Sequence, residues 1–240
     1  MKKIHITLQG KGGVGKSLVS SLIAQCYLEH KLPVMCIDTD PINTTLLGYQ
    51  SLNVKHIQLM DNTRLNERRF DEMMEILLSD KESHYVIDNG ASAFIALSNY
   101  LIENQAIDLL HDAGKEIIVH TVITGGQGLI DTLNGFAALA TQLPETAQLV
   151  VWLNEFFGLI EADGKPFEEM KTYLTHRDRI KGIIRIRQHT GDTFGKDVAY
   201  MLDKRMTFDD ANASPDCSLM AKQRLSMVKR AIFDQMHWMM

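Results

Sequence analysis

The chain is 240 residues long, 45% hydrophobic and 23% charged, with a formal net charge of −5. That length buries a full core and fits a single α/β domain over residues 1–240 better than two domains. No apolar run approaches the ~20 residues that cross a bilayer and the first residues lack a signal-peptide pattern, which predicts a cytoplasmic protein. Cys26, Cys36 and Cys217 have no C-x-x-C spacing, which argues against a zinc or redox site.

In chain order, residues 4–8 are apolar and alternating and predict a first strand, followed by a glycine-rich turn and a helix over 17–30. Residues 34–37 read as a buried strand opening onto Asp38-Thr39-Asp40-Pro41. A short strand is predicted at 56–60, a helix at 70–78, and a strand at 85–87 that ends in Asp88. Helices at 94–102, 127–142 and 167–175 are expected, with strands at 116–123, 148–153 and 180–186. Two further helices are predicted, at 194–206 and 219–240, the last amphipathic. Strands alternating with helices predict a mostly parallel, twisted sheet with helices on both faces, with ligands bound beyond the carboxyl ends of its strands. Asp38, Asp40, Asp88 and Asn154 all follow apolar strands and are therefore expected along one edge.

Gly10-Lys11-Gly12-Gly13-Val14-Gly15-Lys16-Ser17 stands between the first strand and the first helix, the context a phosphate-binding P-loop requires. Glycines allow positive φ angles, so backbone N–H groups converge on phosphate oxygens, and the helix N-terminus adds its positive end. Lys16 is expected on the β- and γ-phosphates and Ser17 on Mg²⁺. Val86-Ile87-Asp88 is the apolar-strand-plus-aspartate pattern that holds the same cation. Side chains two apart on an extended segment share a side, which would aim Asp38 toward the metal and Asp40 toward the attacking water. A plain polar turn capping the next helix is the competing reading of that pair. Gly125-Gly126-Gln127-Gly128 reads either as a second anion nest or, more simply, as a turn. His5, His120 and His176 are scattered, without ligand spacing.

Taken together, Lys11-Gly12-Gly13-Val14-Gly15-Lys16-Ser17, Asp38-Thr39-Asp40-Pro41 and the Asp88 strand resemble the ParA/MinD family of P-loop ATPases, which carry the deviant Walker A motif K-G-G-x-G-K-[ST]. The resemblance implies that Gly12, Gly13, Val14, Gly15, Lys16, Ser17 and Leu18 cradle ATP, with Mg²⁺ at Ser17, Asp38 and Asp88. It implies that Asp40 positions the hydrolytic water and that Lys11 reaches the nucleotide of a partner subunit in an ATP-dependent homodimer. It also places Asn154 against adenine. Leu18 stands where the family often has a second threonine, and Asn89-Gly90-Ala91-Ser92 replaces its proline-containing turn. Further runs, among them His120-Thr121-Val122-Ile123-Thr124-Gly125-Gly126-Gln127 and Val150-Val151-Trp152-Leu153-Asn154, resemble accessory ATPases of conjugative plasmid transfer. That likeness implies another conjugation-system protein as a partner.

Acidic residues dominate up to about residue 164 and basic ones after it. Arg177, Arg179, Lys181, Arg185 and Arg187 make a candidate DNA contact. Apolar residues at Leu225, Val228, Ile232, Met236 and Met239 make the last helix either a packed terminal helix or a peripheral anchor at the inner membrane. The expected function is a slowly hydrolysing ATPase that switches between monomer and dimer. The alternative is a nucleotide-binding scaffold that recruits a partner or membrane through the last helix.

Overall fold

The computed structural model describes residues 1–62 and 64–240. Seven strands form the central sheet: β1 (Lys2–Thr7), β2 (Val34–Asp38), β3 (Lys55–His56), β4 (His84–Asp88), β5 (Lys115–Thr124), β6 (Ala147–Asn154) and β7 (Ile180–Ile186). Their order across the sheet is β7-β6-β5-β1-β4-β2-β3, and every pairing is parallel. Parallel strands need crossovers, so both faces are covered.

The nine α-helices among the described residues are α1 (Lys16–Glu29), α2 (Arg69–Ser79), α3 (Phe94–Glu103), α4 (Ala106–Asp112), α5 (Leu129–Gln142), α6 (Lys171–His176), α7 (Lys196–Asp203), α8 (Phe208–Ala213) and α9 (Leu219–Phe233). Ile4, Ile6, Ile117 and Val119 point into one core with residues of α2 to α5. Ile118, Val122, Val150 and Trp152 point into the other, with residues of α1, α7, α8 and α9. This is the period-two alternation of strands with two buried faces. Helix α1 is buried nearly all round, including Ser20 and Ser21, because besides the sheet it packs on the turns at 46–52 and shares a core with Val228 and Ile232 of α9.

The predicted strand at 56–60 shrinks to Lys55–His56. The helix expected at 167–175 begins only at Lys171, after a 3₁₀ turn at Phe167–Glu169 and an extended Met170 (ψ 144°). The last predicted helix also stops early: α9 ends at Phe233, and a 3₁₀ turn at His237–Met239 follows. Leu225, Val228, Ile232, Met236 and Met239 are all buried, so the apolar seam faces the protein's own core, as the packed reading expected. None of the described helices is long and apolar enough to cross a membrane.

Candidate nucleotide site

Strand β1 delivers the chain to the sheet edge, and Leu8 continues the parallel pairing through its N–H to the His120 carbonyl (2.8 Å). The loop then turns through Gly13 (φ +75°) and Gly15 (φ +102°) before α1 starts. Both angles lie in the left-handed region that glycine adopts without strain. Gly15 also has Asn154 so close that a Cβ there would sit 2.7 Å from its Nδ2. Val14 is buried in the core and pins the loop from below. A cavity of about 580 Å³ opens above the loop, lined in part by Gly13, Lys16, Ser17, Asp40 and Asn154.

Lys16 is buried, and its ammonium donates to the Lys11 carbonyl (3.0 Å). Burial pushes its pKa down, while the carboxylates of Asp88 and Asp40 pull it up. Asp88 is buried at the tip of β4, in register with Thr7 on one side and Asp38 on the other. Burial pushes its carboxyl up to about 7, reinforced by the Asp38 charge; hydrogen bonds from Ser17 and Ser20 and the charge of Lys16 oppose this. Ser20 Oγ lies 3.1 Å from Asp88 Oδ1 and 2.8 Å from Thr7 Oγ1. A hydroxyl and a carboxylate side by side are hard oxygen donors that suit Mg²⁺. Among the described residues no cluster of three or more His, Cys, Asp or Glu could hold a metal alone. This donor set fits a cation that arrives with phosphate oxygens, which is how Mg²⁺ is usually held beside nucleotides.

The two carboxylates of the β2 loop do not share a side. Strand β2 ends at Asp38, so the alternation that would align Asp40 with it stops there. Asp38 is buried, with Oδ1 accepting from Asp40 N (2.9 Å) and Oδ2 from Leu47 N (3.1 Å). Burial raises its pKa and those two amides lower it. Both oxygens thus hold the 40–47 loop, which makes Asp38 a loop anchor beside Asp88. Asp40 lines the cavity, and its Oδ1 accepts from Ile42 N (2.9 Å) and Asn43 N (3.0 Å). Its carboxylate packs so tightly on Gly90 that a Cβ there would collide. The Asn89-Gly90 turn after Asp88 is therefore shaped around Asp40.

Asn154, at the end of β6, is buried; its Nδ2 donates to the Val14 carbonyl (2.9 Å) and its Oδ1 accepts from Phe156 N (3.2 Å). The side chain fastens β6 to the phosphate loop while still lining the cavity beside Leu18, Phe156, Phe157 and Leu202. Lys11 behaves differently: its ammonium leaves the cavity and pairs with Asp131 Oδ2 on α5 (2.8 Å), both side chains about half exposed. Such an exposed pair contributes at most about 1 kcal/mol, so the lysine is readily redirected.

Sequence reasoning missed Ser20, although it lies one turn beyond Ser17 on the same face of α1. It also missed Thr39, whose hydroxyl donates toward the Asp88 carbonyl (3.1 Å) and Asn89 Oδ1 (3.2 Å). The 125–128 glycines form a 3₁₀ turn into α5, and Gly125 packs against the carbonyl oxygens of Gly158 and Leu159. Carbonyls repel anions, so the turn reading holds there. In the basic stretch, Arg185 pairs with Glu155 (2.7 Å) and Glu168 (2.8 Å). Arg179 donates to the carbonyls of Leu143 and Pro144 at the end of α5. Arg177 also pairs with Asp178 (3.7 Å), so three of the five cations proposed for DNA are engaged within the chain.

Comparison with known proteins adds to this geometry. Residues 6–213 match the family model described as the CobQ/CobB/MinD/ParA nucleotide binding domain. Two proteins named Protein TraL from Escherichia coli are each 48% identical over 236 residues, covering 98% of both chains. Among solved structures, the MinC:MinD cell division protein complex of Aquifex aeolicus aligns with a TM-score of 0.55 at 12% identity, covering 97% of this chain and 96% of that one. A putative plasmid partition protein of Borrelia burgdorferi bound to AMPPNP aligns at 0.51 and 15% identity, covering 98% and 99%. At these identities the solved structures show a shared fold. With the family model spanning most of the chain and full-length relatives at nearly half identity, the chain belongs to the CobQ/CobB/MinD/ParA nucleotide-binding-domain family.

Proposed function

We propose that this chain binds ATP with Mg²⁺, hydrolyses it slowly, and uses it to switch from monomer to homodimer as an accessory protein of conjugative DNA transfer. The observation that carries the reading is the division of labour between two lysines of one loop. Lys16 is buried in the cavity beside Asp88 and Asp40, whereas Lys11 points away from its own cavity toward Asp131. A cation held outside its own site is available to a second subunit's phosphates. The cavity rim fits a second copy. Ile42, Phe156 and Phe157 line it and are exposed, and exposed Ile95 and Ile130 begin α3 and α5 at the same sheet edge. Exposed apolar groups gathered at one edge mark a protein-interaction surface. The TraL likeness supports the conjugative setting, and the AMPPNP of the Borrelia structure supports an adenine nucleotide.

In this reading the loop amides and Lys16 hold phosphates, while Ser17 and Asp88 would hold the cation. When bound, the cation neutralises charge on the β- and γ-phosphate oxygens. Ser20 and Thr7 fix the Asp88 carboxylate from behind. Asp40 orients water for in-line attack through the carboxylate oxygen that Ile42 and Asn43 leave open. A second reading, binding without measurable hydrolysis, is favoured by one observation: Asp40 Oδ1 already accepts two amides. Phosphate release separates the two. Asp40→Ala is expected to lower release by roughly 100-fold with ATP affinity held within about threefold. Equal release by wild type and variant would remove Asp40 from the mechanism, and none from either would remove hydrolysis from the proposal.

A further inference from the structure

His5 and His120 stand on neighbouring strands β1 and β5, outside the lining of the phosphate loop's cavity, and both are fully buried. They belong to a continuous hydrogen-bonded series. Trp152 Nε1 donates to His120 Nδ1 (2.9 Å), and His120 Nε2 faces His5 Nδ1 (2.8 Å). His5 Nε2 faces the Tyr27 hydroxyl (2.7 Å), which donates to the Met239 carbonyl (3.3 Å). Trp152 and Tyr27 are fully buried as well.

The direction of every bond follows from the ends. An indole N–H can only donate, so His120 Nδ1 must accept. A neutral His120 then carries its proton on Nε2 and donates to His5 Nδ1. A neutral His5 in turn carries its proton on Nε2 and donates to Tyr27, leaving the Tyr27 proton for the Met239 carbonyl. Burial favours the neutral form of both rings, and Lys3 and His84 nearby act in the same sense on His5. No donor or acceptor in the series is left over, which is the condition under which a buried polar network fixes a single arrangement.

The series ends on a segment fastened at other points too. Lys3 Nζ donates to the Met239 carbonyl (2.7 Å) and the Met240 carbonyl (3.3 Å). Gln235 Oε1 accepts from Arg185 N (2.8 Å) and Gln235 Nε2 donates to the Arg185 carbonyl (3.1 Å). That pair of bonds is what a neighbouring strand would make with β7, the outermost strand of the sheet. Trp238 packs against Gly182 of β7, where any Cβ would collide with the indole ring.

We infer that residues 235–240 form a clasp that closes the β7 edge of the sheet, seated by a one-directional hydrogen-bond relay running from Trp152 through His120, His5 and Tyr27. The relay joins β6, β5, β1 and α1, the elements that carry Asn154 and the phosphate loop, to the segment that covers an open strand edge. Unseating the clasp would uncover the Arg185 backbone groups, and an uncovered edge invites pairing with another chain. None of this requires nucleotide, so the clasp stands or falls apart from the ATPase reading.

Two measurements on the full chain test it. Long-range ¹H–¹⁵N correlation at pH 7.5 should show His5 and His120 both neutral with the proton on Nε2. A proton on Nδ1 of either ring, or a charged ring, overturns the relay. Tyr27→Phe keeps the ring packing and removes the donor to Met239. Amide exchange at Met239, Met240 and Arg185 should then quicken about 5- to 10-fold, the loss of one net hydrogen bond, with exchange in β4 unchanged. Unchanged exchange at all three amides, or the same acceleration in β4, overturns the clasp.

Discussion

Lys16→Ala is expected to weaken ATP binding by roughly 100-fold or more, because truncating one partner of a buried, hydrogen-bonded charge pair costs about 2–5 kcal/mol. The ammonium is buried and its only hydrogen-bond acceptor among the described residues is the Lys11 carbonyl. Burial has already pushed its pKa down, so a phosphate anion at that point restores what desolvation took away. Titration calorimetry with ATP and Mg²⁺ measures the loss, and circular dichroism checks that the fold survives. A dissociation constant within threefold of wild type would show that the loop does not bind phosphate through this lysine.

The second large effect is acid sensitivity of the fold. His5, His84 and His120 are buried, with pKa values depressed below the usual 6.5: His84 to about 4, His120 to about 3, and His5 well below. Burial is the first cause in each. A depressed folded pKa means stability that is present above the unfolded value and lost as pH falls below it. Asp88 works the other way, since its raised pKa of about 7 lets the folded state keep a proton that the unfolded chain releases above about 4. Between pH 6 and 4.5, unfolding therefore takes up protons at the three histidines and releases them at Asp88 and at Asp38, whose pKa burial also raises. The histidines outnumber the two carboxylates, and each net proton taken up corresponds to on the order of 1 kcal/mol of stability lost per pH unit of acidification. Urea unfolding at pH 7.5, 6 and 5 should show the midpoint dropping steeply between the last two. A midpoint constant over that range would mean the three rings are charged or solvated in the folded protein.

Much of this architecture was legible in the residues. The runs at 34–37, 85–87, 116–123, 148–153 and 180–186 became strands of the central sheet because mainly apolar stretches suit a sheet covered on both faces. The loop at 10–17, with glycines where φ is positive, lies between strand and helix as its pattern requires. Misreadings came where the tertiary structure overrides local pattern. Asp38 and Asp40 seemed aligned because strand alternation was extended past the end of β2; the loop instead folds back onto Asp38. The last helix looked continuous to Met240 because Met236 and Met239 keep helical spacing. Both are buried in the core that faces α1, and a turn carries the Met239 carbonyl to Lys3 and Tyr27 near the other end of the chain. Helix α8 escaped notice because it is six residues long, though its capping box, Thr207 with Asp210, was readable. The histidines looked scattered because His5 and His120 are 115 positions apart, and only the β1–β5 pairing makes them neighbours.

In the proposed switch, the outward Lys11 would make one subunit's pocket half of a larger site. Solution mass with and without ATP·Mg²⁺ tests this directly, with Asp40→Ala used to hold the nucleotide. Wild type should double from 27.1 kDa on adding ATP·Mg²⁺, and Lys11→Ala should remain a monomer while still binding ATP. A wild type with the same mass in both conditions, or a Lys11→Ala variant that dimerises as wild type does, would contradict the switch.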